Sequence, residues 1–297
     1  MSVMRQSTWV LGLLLASGPG TAAQEPGREA VVTVTVENMY SGPDASRDVV
    51  SQATLGQVVK VLESRGGFAS IETPDRYPGW IPEAALAFYP DSSSTRYASK
   101  GRVGRVTSLM ANVYRDPSVT SARPKLLAPL GTNLELLPAS PREGWHALRL
   151  PSGEVGFMQA GDLRVADAAE PPAKPVGTEL TATARRFLGV PYLWGGMTAH
   201  GLDCSGFVSR VYAFHGMTLL RDADLQFEDP RAATVEKADL KAGDLLFFGS
   251  KNITHVGLYQ GEGRFIHATT HDHPVVQESQ LDDAHWTGLF RGARRPQ

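Results

Sequence analysis

Gly201-Leu202-Asp203-Cys204-Ser205-Gly206-Phe207 holds the one cysteine of a 297-residue chain, and an amphipathic run follows it directly. Phe207, Val208, Val211 and Tyr212 recur on one helical face with Gly216 beyond, which predicts a helix from about Cys204 to Phe214. A thiol at a helix start gains dipole stabilisation and free backbone N–H groups, both of which favour a nucleophilic thiolate. The Cys204 N–H is then one donor toward a developing oxyanion. Gly195, Gly196 and Gly201 let backbone and substrate approach closely. Beyond the helix, residues 244–248, 255–260 and 264–268 read as strands. His255 starts the second of these and His267 lies in the third. If those two strands are antiparallel neighbours, both imidazoles point to one face, His255 as base and His267 as its orienter. Unpaired cysteines are more commonly buried small hydrophobes, a reading that polar Asp203 and Ser205 at a helix start weaken. Zinc is the other rival: His255, His267, His271, His273 and Asp272 offer ligands, but no CxxC or HExxH spacing accompanies them.

The first 23 residues have the layout of a secretory signal: Arg5, an apolar core over residues 9–16, and small Thr21-Ala22-Ala23 before Gln24. No later run reaches the roughly 20 apolar residues of a membrane span, so no stable membrane insertion is expected. One cysteine permits no intramolecular disulfide, and folding must rest on core packing. About 270 mature residues suffice for that and imply more than one domain. Net charge is −2 with both signs interspersed, which leaves no basic stripe for nucleic acid.

Residues 31–90 read as short strands. Val32, Val34 and Val36 alternate with polar residues, a turn follows at 41–44, and β-rich runs lie at 58–62 and 68–72 before Tyr77-Pro78-Gly79-Trp80-Ile81. Residues 101–166 repeat the scheme. Ala111-Asn112-Val113-Tyr114 parallels Glu37-Asn38-Met39-Tyr40, 131–137 parallels 56–62, and Gly156-Phe157-Met158 stands where Gly79-Trp80-Ile81 stood. Two small all-β barrels are expected. Residues 167–176, with Pro171, Pro172 and Pro175, form a stiff linker, and from Gly177 the pattern becomes mixed α and β over 177–297. A helix is expected over 180–188, and residues 288–294 as a returning edge strand.

Residues 177–294 resemble the NlpC/P60 papain-like cysteine peptidases of bacterial cell-wall metabolism. The resemblance rests on Pro191-Tyr192-Leu193-Trp194-Gly195-Gly196, Asp203-Cys204-Ser205-Gly206-Phe207, Gly243-Asp244-Leu245-Leu246-Phe247-Phe248, His255-Val256-Gly257-Leu258-Tyr259 and Phe265-Ile266-His267-Ala268. It implies an α+β papain-like domain with Cys204 as nucleophile, His255 as base and His267 as polar orienter, and no cofactor or metal. The two N-terminal parts resemble bacterial SH3-like modules, and the whole layout resembles the gamma-D-glutamyl-L-diamino-acid endopeptidases. These cut murein stem peptides between D-Glu and a diamino acid and require a free N-terminal L-Ala. Arg221-Asp222-Ala223-Asp224-Leu225-Gln226 resembles that subgroup's Arg-Asp-Ala-x-x-Gln segment. Carried over, Asp222 contacts the substrate ammonium, Asp203 and Ser205 line the same end, and Tyr77 reaches over from the first SH3-like part to close it. Tyr192 and Trp194 are candidates for an aromatic wall beside the thiol. Rival readings are a broader endopeptidase on polymeric wall, a non-catalytic wall-binding protein, and acyl transfer by the same thiol. The diamino acid, the oligomeric state, and a periplasmic or extracellular destination stay open.

Overall fold

The computed structural model of the chain describes residues 28–121, 123–139, 142–170 and 175–297. The proposed signal over residues 1–23 and part of the 167–176 linker lie outside the described residues.

The first unit consists of β1 (Arg28–Val32), β2 (Val36–Tyr40), β3 (Val49–Thr54), β4 (Val58–Arg65), β5 (Phe68–Glu72), β6 (Pro78–Pro82) and β7 (Leu86–Phe88). They form one antiparallel sheet in the order β3-β2-β6-β5-β4-β1-β7. The alternating valines do not make one strand. The chain breaks at 33–35, where Thr33 N–H donates to Ala85 O and the Thr35 hydroxyl donates to Leu127 O. Val32 ends β1 inside the core, and Val36 starts β2 half-buried.

The second unit contains β8 (Arg102–Val106), β9 (Met110–Val113), β10 (Leu126–Pro129), β11 (Asn133–Leu136), β12 (Trp145–Arg149), β13 (Val155–Gln159) and β14 (Leu163–Asp167). Its main sheet runs β13-β12-β11-β8-β14, with β9 and β10 paired apart. Closed barrels were expected, yet among the described residues neither sheet closes on itself. In the first unit the outer edge of β3 is used for docking instead. Val49 O accepts from Trp194 Nε1 at 3.0 Å, and the Gln52 side chain accepts from Met197 N–H at 3.0 Å. A strand edge covered by a neighbouring loop needs no closing partner.

The remainder is α+β: α1 (Gly177–Arg185), β15 (Met197–Thr198), β16 (Gly201–Leu202), α2 (Cys204–Phe214), α3 (Ala223–Glu228), β17 (Ala232–Val235), β18 (Leu245–Phe248), β19 (His255–Gly261), β20 (Arg264–Thr269), β21 (Val275–Gln280), α4 (Ala284–Leu289) and β22 (Phe290–Pro296). The sheet runs β17-β22-β18-β19-β20-β21. The returning strand β22 is therefore interior rather than an edge, because β17 covers its free side. The first helix also differs from its expected span, beginning at Gly177 and ending before Arg186, with Gly189 left-handed at φ +84° after it. Helix α2 buries Phe207, Val208, Val211 and Tyr212 on one face of the sheet, and α4 buries Trp286 on the other. The units interlock: Leu55 of the first lies in the core of the second, and Leu130 of the second lies in the core beneath α1 and α2. No helix among the described residues is long and apolar enough to cross a membrane.

Candidate active site

Asp203 caps α2. Its Oδ1 accepts from Gly206 N–H at 2.6 Å, satisfying one of the donors that a helix start leaves without an intrahelical partner. Cys204 therefore sits in the first turn, 8% exposed. Burial pushes its thiol up to about 12 and the Asp203 carboxylate adds to this, while the backbone N–H groups of Val256 and Ser205 pull the other way. The helix start was expected to favour a thiolate. Burial acts against that expectation.

Val256, which follows His255 at the start of β19, turns its backbone N–H to the Cys204 sulfur. Strands β19 and β20 are antiparallel neighbours, with Leu258 opposite Ile266. His255 Nε2 and His267 Nδ1 are 2.7 Å apart, and His267 Nε2 lies 3.0 Å from Ser279 Oγ on β21. One proton order makes His255 a base: its Nε2–H donates to His267 Nδ1, His267 Nε2–H donates to Ser279, and His255 Nδ1 stays free to accept. Gly257 makes room for this arrangement, since a Cβ there would lie 2.6 Å from the Phe265 ring and 3.3 Å from His267 Cβ. Trp286 stacks on His255 at 5.3 Å and meets His267 edge-on at 4.7 Å, fixing both rings from behind. A second histidine pair, His271 and His285, stacks in parallel at 3.8 Å against that tryptophan. Among the described residues no three histidine, cysteine or carboxylate side chains converge to hold a metal.

Cys204 opens into a cleft of about 720 Å³ whose walls include Tyr77, Tyr192, Trp194, Asp203, Ser205 and Asp222. The structure thus gathers the predicted binding residues around one space, although they do different things. The Tyr192 hydroxyl is raised by burial and then by Cys204, and both residues line this cleft. Trp194 is 70% exposed and is no core residue; its indole bridges to β3. Asp203 is committed to the fold. Both oxygens pair with the buried Arg221 guanidinium at 3.1 and 2.5 Å, and Oδ2 also accepts from Gly195 N–H at 2.9 Å. Arg221 in turn donates to Ser205 Oγ at 2.9 Å and to Ser51 Oγ on β3 at 2.8 Å. Asp222 is half-buried at the start of α3 and faces the Tyr77 hydroxyl. Burial raises the carboxyl, while Tyr77 and Arg221 lower it. Tyr77 is pushed up to about 12, first by burial and then by Asp222.

Residues 189–295 match the NlpC/P60 family model, and residues 39–86 match that of the bacterial dipeptidyl-peptidase Sh3 domain. The chain is 30% identical over 260 residues to a gamma-D-glutamyl-L-lysine dipeptidyl-peptidase of Bacillus cereus, covering 82% of this chain and 74% of that one. The chain belongs to the NlpC/P60 family. It is also 27% identical over 261 residues to dipeptidyl-peptidase 6 of Lysinibacillus sphaericus, covering 86% of this chain and 93% of that one. A crystal structure of an NlpC/P60 family protein from Bacillus cereus superposes with a TM-score of 0.79 at 26% identity, over 90% of this chain and 99% of that one.

This NlpC/P60 chain is a cysteine peptidase with a single, buried, unpaired thiol. Reading the sequence missed Arg221, Ser279 and Trp286. Arg221 stood in a quoted motif, but an arginine 1% exposed is against the usual distribution. Ser279 and Trp286 lie in β21 and α4, for which no element was expected.

The buried histidines predict an acid-labile fold. Burial lowers His255 to about 3, with His285 adding, and holds His267 well below the usual histidine range. Below about pH 6.5 the unfolded chain binds more protons at these sites than the folded one, so stability rises with pH there. Their contribution is complete above about 6.5 and is lost as pH falls toward 3. Melting temperatures at pH 7, 5 and 4 should fall in that order, and His255→Gln should flatten the trend. An unchanged slope in the variant would contradict the buried neutral imidazole.

Proposed function

We propose that this peptidase hydrolyses the gamma-D-glutamyl–diamino-acid amide of murein peptides that carry a free N-terminal L-Ala. The observation that carries this reading is the cleft shared by Cys204 and the Tyr77–Asp222 pair. A half-buried carboxylate under a tyrosine hydroxyl suits an ammonium group, because opposite charge in a confined pocket is attractive and the cap excludes bulk. Tyr77 comes from the loop ahead of β6, in the unit docked through β3. A peptide still linked through its N-terminus to a glycan would meet that cap. Asp203 and Ser205 serve the same end indirectly, by holding Arg221 and the glycine loop in place.

In the proposed reaction His255 Nδ1 takes the Cys204 proton as sulfur attacks the gamma-carbonyl carbon. The oxyanion faces the Cys204 N–H, which has no intrahelical acceptor, and the Tyr192 hydroxyl of the same cleft. The proton then passes to the diamino-acid nitrogen, the amide bond breaks, and an L-Ala-gamma-D-Glu thioester remains. His255 next deprotonates a water, which attacks that thioester and releases the acid and the thiol. His267 holds the His255 tautomer throughout, with Ser279 behind it. Export through the 1–23 segment to the periplasm or beyond belongs to the same proposal. Both relatives named as gamma-D-glutamyl-L-lysine dipeptidyl-peptidases, from Bacillus cereus and Bacillus subtilis, support the substrate class.

The test is digestion of L-Ala-gamma-D-Glu-L-Lys beside its N-acetylated form, with products identified by mass. The free peptide should be cleaved at least about 100-fold faster, as loss of a charge-assisted bond and a clash with the cap both count against the acetylated one. Equal cleavage of the two would remove the amine role of Asp222 and Tyr77.

A further inference from the structure

A second cavity, of about 360 Å³, lies where the two β units meet helix α2, away from the catalytic cleft. Its volume falls in the range of small-ligand sites, which favour domain interfaces. Arg210 of α2 lines it. Among the described residues this guanidinium meets only neutral acceptors: Met197 O at 3.0 Å, and Leu130 O and Thr54 Oγ1 at 3.5 Å each. Burial pushes it down to about 10, against the pull of Asp75. Asp75 lines the same cavity from the loop between β5 and β6, held by the Thr73 hydroxyl. Among the described residues neither Arg210 nor Asp75 makes an ion pair within 4.0 Å, with each other or with any other group.

Arg210 is half-buried with no charged partner among the described residues, and a planar guanidinium with N–H groups to spare is suited to a carboxylate. The same cavity is lined by neutral groups able to bond a peptide unit, Gln57, Thr132 and Asn133, with Leu55 and Tyr97 as apolar wall. We infer that this junction cavity is a binding site for a zwitterion, an amino acid or short peptide whose carboxylate meets Arg210 and whose ammonium meets Asp75. Such a ligand joins two parts of the catalytic cleft. Arg210 belongs to the helix that begins with Cys204, and its Nε bonds the backbone of Met197, which follows the Trp194–Gly196 loop. Asp75 belongs to the loop that ends in Tyr77, whose carbonyl accepts from Thr73 N–H at 3.1 Å. Occupancy clamps the nucleophile's helix to the loop that bears the amine cap.

The experiment is calorimetric titration of the full chain with alanyl-alanine, its N-acetyl form and its C-terminal amide, all in an Asp222→Asn background that removes the carboxylate proposed to take the ammonium in the catalytic cleft. Alanyl-alanine should bind, and each blocked form should bind at least about tenfold more weakly. Arg210→Gln and Asp75→Asn should each weaken alanyl-alanine at least about tenfold. Should Arg210→Gln fail to fold, as judged by circular dichroism, the Asp75→Asn variant in its surface loop decides. Absence of saturable binding, unchanged affinity in Asp75→Asn, or equal binding by either blocked form would overturn the inference. The readout is binding rather than cleavage, so it stands apart from the reaction proposed for the cleft.

Discussion

Cys204→Ala should lower turnover by at least about 10⁴-fold while the fold stands, because a nucleophile and its base act as one unit and neither is replaced by the other. The side chain is buried among α2 and β19 but loses only its sulfur on truncation, a cavity worth about 1 kcal/mol. The His255–His267–Ser279 chain does not pass through the thiol, so its geometry survives the change. Turnover of the free tripeptide, with thermal unfolding as the control for folding, checks this. Activity within tenfold of the unmodified enzyme would mean that another group makes the attack.

Asp203→Ala should instead unfold the catalytic corner. Asp203 is 6% exposed and Arg221 1%, and the carboxylate engages the guanidinium through both oxygens. Removing one partner of a buried ion pair strands the other charge, at a cost of about 3–5 kcal/mol. The same substitution deletes the cap of α2 and the acceptor for Gly195 N–H, which costs about a further 1 kcal/mol. Because Arg221 also bonds Ser51 of β3, the loss should loosen the docking of the first β unit. Urea denaturation measures the change. A shift below about 1 kcal/mol would show that Arg221 finds an equivalent partner without Asp203.

The legibility of this chain follows from where its energetics are local. Helix α2 was readable to the residue, since its apolar spacing and its start both lie within the segment itself. His255 and His267 could be placed on neighbouring strands because β19 and β20 are short, mostly apolar runs. Strand β21 was not read: Gln277, Glu278, Ser279 and Gln280 dilute its apolar signal, and its pairing with β20 is a long-range fact. The interior position of β22 depends on β17, whose Ala232-Ala233-Thr234-Val235 carries little pattern of its own. In the first unit an open sheet stands in place of the expected barrel, its β3 edge meeting Trp194 and Met197, residues more than 140 positions away by the separations of the two bonds. Asp203 was read as a cleft residue, and its partnership with Arg221 appears only once the chain is folded.

The attack by Cys204 is tested most directly by quenching the reaction with L-Ala-gamma-D-Glu-L-Lys in acid and mapping the mass of the Cys204 peptide. An added L-Ala-gamma-D-Glu acyl group on Cys204, absent in Cys204→Ala, is the predicted result. Product formation at full rate with no acyl group on that cysteine, in experiments able to trap one, would contradict it.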